Sequence, residues 1–373
     1  MLRQYRLKDY DFRLVVYVVL LTIIGILVIG SANPSVQNKQ ILGLVLGLIV
    51  MVAVSLMDYE FLLRFSWIFY AINIALLTLV LIMGDHAKGA TRWVEIAGIR
   101  FQPSELGKIL LILFFASFFT KYQDSINTLK TLVITFLLAG IPLVLIKEEP
   151  DLSTTIVTAL IFLVLLFMAG LSYKIIVTVL AISVPSAAIF IALILRPEQK
   201  ILQGYQYKRI MAWLQPEKYA DDAYQQQNSI MAIGSGQFLG KGLNNTDVNS
   251  VKNGNFISEP QTDFIFAVVG EEMGFVGSMI VIGLLLLIAL ECILIAKKAK
   301  DLSGRLICCG VAALIGFQSF VNICVVTGMM PNTGLPLPFV SYGLTSLVSS
   351  FIGIGLVLNV GLQPRKYGTG EME

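Results

Sequence analysis

The sequence is short of charge. Asp, Glu, Lys and Arg make up 14% of its 373 residues, where water-soluble domains run to about a quarter. Hydrophobic residues reach 56% and the mean hydropathy is +0.80. This excludes a soluble globular chain and makes most of the protein membrane-embedded. Histidine is almost missing: His86 stands alone, which excludes a zinc site built on histidines. Cysteine is sparse. Cys292, Cys308, Cys309 and Cys324 all fall in or beside apolar segments without C-x-x-C spacing, so they read as packing residues and not as a disulfide framework. The net charge is only +3, too small to indicate a nucleic-acid partner.

Long apolar runs are what the sequence has in plenty. Ten segments have the length of a membrane-spanning helix: 14–31, 41–57, 62–83, 104–120, 131–147, 152–170, 174–195, 263–296, 304–328 and 342–362. The expected fold is an all-α polytopic membrane protein of ten transmembrane helices, one unit over residues 1–373. The first span is not a cleavable signal, because its leading segment carries acids as well as bases and it runs into a second span after a short loop. Arg3, Arg6, Lys8 and Arg13 precede it, and Arg64, Lys121, Lys130, Lys174, Lys297, Lys298, Lys300, Arg305, Arg365 and Lys366 fall in loops on the same side. The positive-inside rule then places both termini in the cytoplasm. The large loop 196–262, between helices 7 and 8, and the loop 84–103 lie outside. Both carry bases against the rule, among them Lys88, Arg92 and Arg100. Ordinary solvated charge explains them, and so does an anionic ligand.

The polar residues at the outer helix ends carry the chemistry. "EPQTDFIFAVVGEE" (259–272) contains Glu259, Asp263, Glu271 and Glu272, and charges at a bilayer boundary are costly. On a continuous helix Ala267, Gly270, Gly274 and Gly277 fall within about 40° of Asp263. That face is a groove open to a neighbouring helix or a lipid chain. Glu271 lies about 12 Å deeper, at about 1.5 Å rise per residue, and Glu272 points to the opposite side. Asp263 is then a rim acid, serving either the helix dipole or a reaction. The two deeper glutamates call for structural pairing with a base on another span, and Glu259 for solvent.

Four other stretches stand out. In "GATRWVEIAGIRFQPSELGKILL" (89–111), Glu105 and Lys108 share a helix face. They form either a self-neutralising pair or a base facing a phosphate. Arg92 and Trp93 suit an interfacial anchor or a contact to sugar and phosphate. Asp151, in "KEEPDLSTT", suits a helix N-cap. "GSGQFLGKGL" (234–243) does not fit the phosphate loop G-x-x-x-x-G-K-[ST], since its glycine spacing is one residue short and Gly242 follows Lys241. It is a glycine-shaped loop presenting Lys241, preceded by an interfacial helix "YKRIMAWL" that offers Lys208 and Arg209. "GMMPNTGLPLPFVSYGLTS" (328–346) is uncharged and broken by Pro331, Pro336 and Pro338. Such backbone at membrane depth is buried in protein or lines a cavity.

Together, and in this order, "GATRWVEIAGIRFQPSELGK", "EEPDLSTT", "YQQQNSIMAIGSGQFLGKGL", "TDFIFAVVGEEMGFVG" and "PNTGLPLPFVSYG" resemble the SEDS family (shape, elongation, division and sporulation) over essentially the whole chain. The elongation branch is the nearest match. One departure is visible: Leu344 and Thr345 follow Gly343 where the family usually reads S-Y-G-G-S. The resemblance implies a bacterial peptidoglycan glycosyltransferase of the cytoplasmic membrane. It would polymerise lipid II beside a class B penicillin-binding transpeptidase and other elongation-complex membrane proteins, with a divalent cation, Mg2+ or Mn2+. It implies Asp263 as the essential acid, by role a general base or a metal ligand, and carries over Glu105, Lys108 and Asp151. The bases available to an anionic substrate are Arg92, Lys108, Arg209 and Lys241, with Trp93 beside them. Two rival readings differ in class. A lipid flippase would need polar groups through both halves of the membrane; here they gather in the outer half, Glu291 excepted. A scaffold that only recruits a transpeptidase gives no reason for an acid and bases around a cavity.

Overall fold

The computed structural model describes residues 10–87, 90–96, 99–179, 204–245 and 256–363, with isolated positions between them. Helix α1 (Phe12–Ala32) is N-capped by Asp11. Asn33 accepts at the start of α2 (Pro34–Leu56), whose first residue is proline. A short α3 (Tyr59–Leu63) precedes α4 (Ser66–Met83). Then come α5 (Pro103–Lys121), α6 (Leu129–Glu148) and α7 (Leu152–Met168). On the loop side lie α8 (Gly204–Leu214) and α9 (Ala220–Ser235). The chain returns through α10 (Ile265–Lys298), α11 (Leu302–Val326) and α12 (Leu344–Leu362).

Among the described residues seven helices are long and apolar enough to cross a membrane, and α4 and α7 are shorter apolar ones. Nine of the expected spans are thus met by helices. The other, 174–195, falls mostly outside the described residues. The all-α expectation needs one correction. Residues Asp85–Ala87 (β1), Ala90–Ile96 (β2) and Ile99–Phe101 (β3) form a three-stranded antiparallel sheet, with Asp85 opposite Trp93 and Val94 opposite Phe101. Thr, Trp, Val and Ile in "ATRWVEI" favour extended backbone, and this loop is too short of apolar residues to enter the bilayer.

The core lies where α5 runs through the bundle. Phe114, Phe115 and Phe119 are fully buried, and Phe115 packs on Phe162 of α7 at 5.1 Å between ring centroids. α2 lies along α12, α10 along α11, and α11 also meets α5 and α7. The two ends of the bundle differ. At one end Lys300 bridges Glu60 (2.7 Å) and Gln363 (2.6 Å), and Gln363 in turn reaches Asp58. The candidate site residues occupy the other end.

α10 is not one straight helix. Gly274 has φ 63° and ψ −159°, a region reached almost only by glycine. A Cβ there would run into the backbone of Leu239 and Gly240. We predict that Gly274→Ala lowers stability by roughly 1–3 kcal/mol. Gly283→Ala in the same helix, where a Cβ meets nothing within 4 Å, should shift it by no more than about 0.5 kcal/mol or raise it. Thermal unfolding of the detergent-solubilised chain checks both.

Candidate active site

The uncharged segment 331–343 is non-helical yet buried: Leu335, Leu337, Phe339 and Val340 are at most 2% exposed. Its backbone polar groups therefore need partners from the helices. Ser153 of α7 donates to the Thr333 carbonyl (2.8 Å). Asn322 of α11 donates to the Leu335 carbonyl (2.6 Å), and Gln318, one turn below, to the Pro336 carbonyl (3.0 Å). Gln40 of α2 donates to the Ser341 carbonyl (3.1 Å). The segment is a re-entrant plug sewn to three helices, held on its last side by residues 261–262. There the Tyr342 amide donates to Gln261 (2.8 Å) and the Ser341 hydroxyl to the Thr262 carbonyl (2.7 Å).

Asp263 follows directly. It is half-buried and precedes α10, whose N-cap is Phe264 with no side-chain cap bond. The Asp263 carbonyl accepts from Asn322 Nδ2 at 2.8 Å, the same amide that holds Leu335.

Lys108 and Glu105 form an ion pair at 2.7 Å, both almost wholly buried. Lys108 Nζ also donates to Gln318 Oε1 (2.6 Å). Its charge is thus absorbed by a carboxylate and an amide in low-dielectric surroundings. Of the two sequence readings, the self-neutralising pair is the one the contacts support. Lys108 also borders a small apolar crevice with Phe115, Pro142 and Phe162.

The groove expected beneath Asp263 is filled by protein, which decides between the two occupants that the sequence left open. Gly270 packs against Ile233 of α9, and Gly274 lies against residues 238–240. The break at Gly274 explains why. It leaves backbone groups of α10 unpaired, and the glycine-rich loop supplies the partners: the Lys241 and Gly242 amides donate to the Glu271 and Glu272 carbonyls (both 2.9 Å), while Phe275 and Val276 donate to Gln237 and Phe238. Close backbone approach is what Gly236 and Gly240 permit. Lys241 then pairs with Glu271 at 2.8 Å, and Glu272 accepts from the Ser31 hydroxyl at 2.6 Å. The basic partner of Glu271 thus comes from a loop and not from another span. Between α9, Phe256, Lys241 and Glu271 lies a cavity of about 240 Å3, which Asn228 and Ser235 also line.

Asp151 caps α7 through the Thr154 amide (3.1 Å) and is buried, as its position predicted. Arg209 is exposed on α8, where Trp213 donates to the Gly328 carbonyl (2.8 Å) at the start of the plug. Trp93 is half-buried on β2, a strand that packs on α4 and α5. The side chain of Arg92 lies outside the described residues. Gln40, Gln318 and Asn322 escaped the sequence reading. Their signal was present: amides inside apolar runs, with Gln318 and Asn322 at i,i+4. Among the described residues no three of His, Cys, Asp and Glu stand together as a metal would need.

Fold and site define an integral membrane protein whose buried acid, base and amide groups converge on a re-entrant plug at one end of the bundle. A family model described as a cell cycle protein, spanning FtsW, RodA and SpoVE, matches residues 11–366. The chain belongs to this family, the one expected from its motifs. It is 34% identical to the peptidoglycan glycosyltransferase MrdB of Escherichia coli over 91% of this chain and 90% of that one. It is 32% identical to a probable peptidoglycan glycosyltransferase FtsW of Trichlorobacter lovleyi, covering 96% and 94%. Among solved structures it resembles the rod shape determining protein RodA of Thermus thermophilus (TM-score 0.68, 27% identity, 94% and 96% coverage). It also resembles a chain from a peptidoglycan synthase complex that coordinates polymerization and crosslinking (TM-score 0.75, 30% identity, 94% and 97% coverage).

The Glu105–Lys108 contacts set an order of effects. Lys108→Met leaves a buried carboxylate alone and should cost about 3–5 kcal/mol. Adding Glu105→Gln should recover part of that loss. Unfolding midpoints of the two variants, measured side by side, check the order.

Proposed function

We infer that the chain is a peptidoglycan glycosyltransferase that polymerises lipid II, the undecaprenyl-pyrophosphate-linked disaccharide pentapeptide, into glycan strands during wall elongation. The observation that carries this reading is the placement of Asp263. It is a half-buried acid whose backbone carbonyl is held by Asn322, the amide that also holds the plug, in a chain whose relatives are named peptidoglycan glycosyltransferases. The basic loops at the opposite end support a site on the outer face of the bacterial cytoplasmic membrane, with both termini inside. The likeness to a chain from a peptidoglycan synthase complex supports a class B penicillin-binding transpeptidase as partner. The relatives MrdB and RodA support the elongation branch.

In the reaction a sugar hydroxyl attacks the anomeric carbon of another lipid-linked chain. The Asp263 carboxylate takes the hydroxyl proton as the new carbon–oxygen bond forms. The bond from the anomeric carbon to the pyrophosphate breaks, and its electron pair leaves with the lipid pyrophosphate. The exposed Arg209 and the partly exposed Lys241 are the bases available to that anion, with Arg92 of the neighbouring loop. Lys108, buried and doubly bonded, does not meet the leaving group directly and acts on the plug. A divalent cation, Mg2+ or Mn2+, bound beside the pyrophosphate would add to the same positive field.

The test is polymerisation of purified lipid II by the purified chain, its transpeptidase partner present and transpeptidation blocked. Asp263→Asn is nearly isosteric and should lower turnover by about 10²–10⁴-fold without changing expression, insertion or thermal stability. Wild-type turnover in that variant would remove Asp263 from the chemistry.

A further inference from the structure

Two buried amides on one face of α11 hold both halves of the site. Asn322, 2% exposed, gives one N–H to the Asp263 carbonyl (2.8 Å) and the other to the Leu335 carbonyl (2.6 Å). Gln318, equally buried, accepts from Lys108 Nζ (2.6 Å) and donates to the Pro336 carbonyl (3.0 Å). The orientation of each amide is fixed by its partners. Turning Asn322 over would set its oxygen against two carbonyl oxygens. Turning Gln318 over would set an NH2 against an ammonium. Four residues apart, the amides are about 6 Å apart along the helix axis, and they grip adjacent carbonyls of the plug.

We propose that Gln318 and Asn322 are positioning residues for polymerisation: a two-rung amide ladder that fixes the Asp263 segment relative to the Glu105–Lys108 pair through residues 335–336. The proposal rests on Asp263 being the reacting carboxylate. A purely structural reading treats the amides as satisfiers of buried carbonyls and nothing more. That reading is incomplete on two counts. One amide spends both donors on two different segments, one of which carries Asp263. The next takes the ammonium of Lys108 while it holds the plug. Loss of either rung would let the carboxylate shift relative to the bound sugar, and a misplacement near 1 Å costs about 10²-fold in rate.

The experiment measures lipid II polymerisation by the full-length chain with its transpeptidase partner, per folded molecule, for Asn322→Leu, Gln318→Glu and Asp263→Asn. Asn322→Leu removes both donors at similar volume. Gln318→Glu keeps the acceptor for Lys108 and removes the donor to Pro336. The expected result is a kcat about 10- to 100-fold down in Asn322→Leu, a smaller loss in Gln318→Glu, and a KM for lipid II within about twofold of wild type, the signature of lost transition-state alignment. Wild-type kcat in both ladder variants, with Asp263→Asn inactive, overturns the ladder alone. An intact kcat with a raised KM assigns the amides to binding and also overturns it. Should Asn322→Leu fail to fold, Gln318→Glu decides; should neither fold, the amides belong to fold maintenance and the proposal falls. Turnover surviving in Asp263→Asn instead overturns the role of Asp263, and that result is read independently of the ladder variants.

Discussion

Backbone that leaves the helix at membrane depth has to find hydrogen-bond partners within the protein, and the plug formed by residues 331–343 lives under that constraint. Each buried carbonyl left unpaired would cost about 1–3 kcal/mol. The chain meets the demand with Ser153, Gln40, Gln318 and Asn322, side chains that would otherwise be expensive inside apolar helices. Once those residues are committed, α2, α7 and α11 are locked to one loop, and that loop is locked to the segment before Asp263. The position of the Asp263 backbone is a consequence of how the proline-rich backbone is satisfied.

The same bargain is struck a second time on α10. The break at Gly274 frees amides and carbonyls, and the 237–242 loop takes them up, with Lys241 neutralising Glu271. A glycine at the break and glycines in the loop are needed together, because both backbones approach within contact distance. The 237–242 loop is thereby fastened to the helix that begins just after Asp263. The cavity beside Lys241 and Glu271 forms where these pieces meet.

Charge is divided by depth. The deep ions Glu105 and Lys108 are spent on each other, as expected where desolvation is costly, and the buried Glu271 is met by the partly exposed Lys241. Asp263, half-buried, and the exposed Arg209 remain near the rim. A glycosyl transfer that moves a proton and releases a pyrophosphate needs its charges there, within reach of a substrate whose lipid stays in the membrane.

Local pattern determined a good deal of this protein. Apolar run length located nine helices, most to within a few residues, though the second begins seven residues earlier, at Pro34, because spanning a bilayer demands length and little else. The N-cap at Asp151 and the pairing of Glu105 with Lys108 were legible too, since both depend on residues three apart on one helix. The motifs in their order identified the family. What only the tertiary structure decided depends on contacts between distant segments. Extrapolating a straight helix past Gly274 produced an open groove, whereas the residues that fill it come from 233–240, far away in sequence. The small sheet at 85–101 was missed because strands pair across a loop and not along it. Gln318 and Asn322 were visible as amides in an apolar run, but their partners at 108, 263, 335 and 336 were not. A hydrogen bond is chosen by geometry after folding, and no periodicity in the sequence encodes which carbonyl a buried amide will meet.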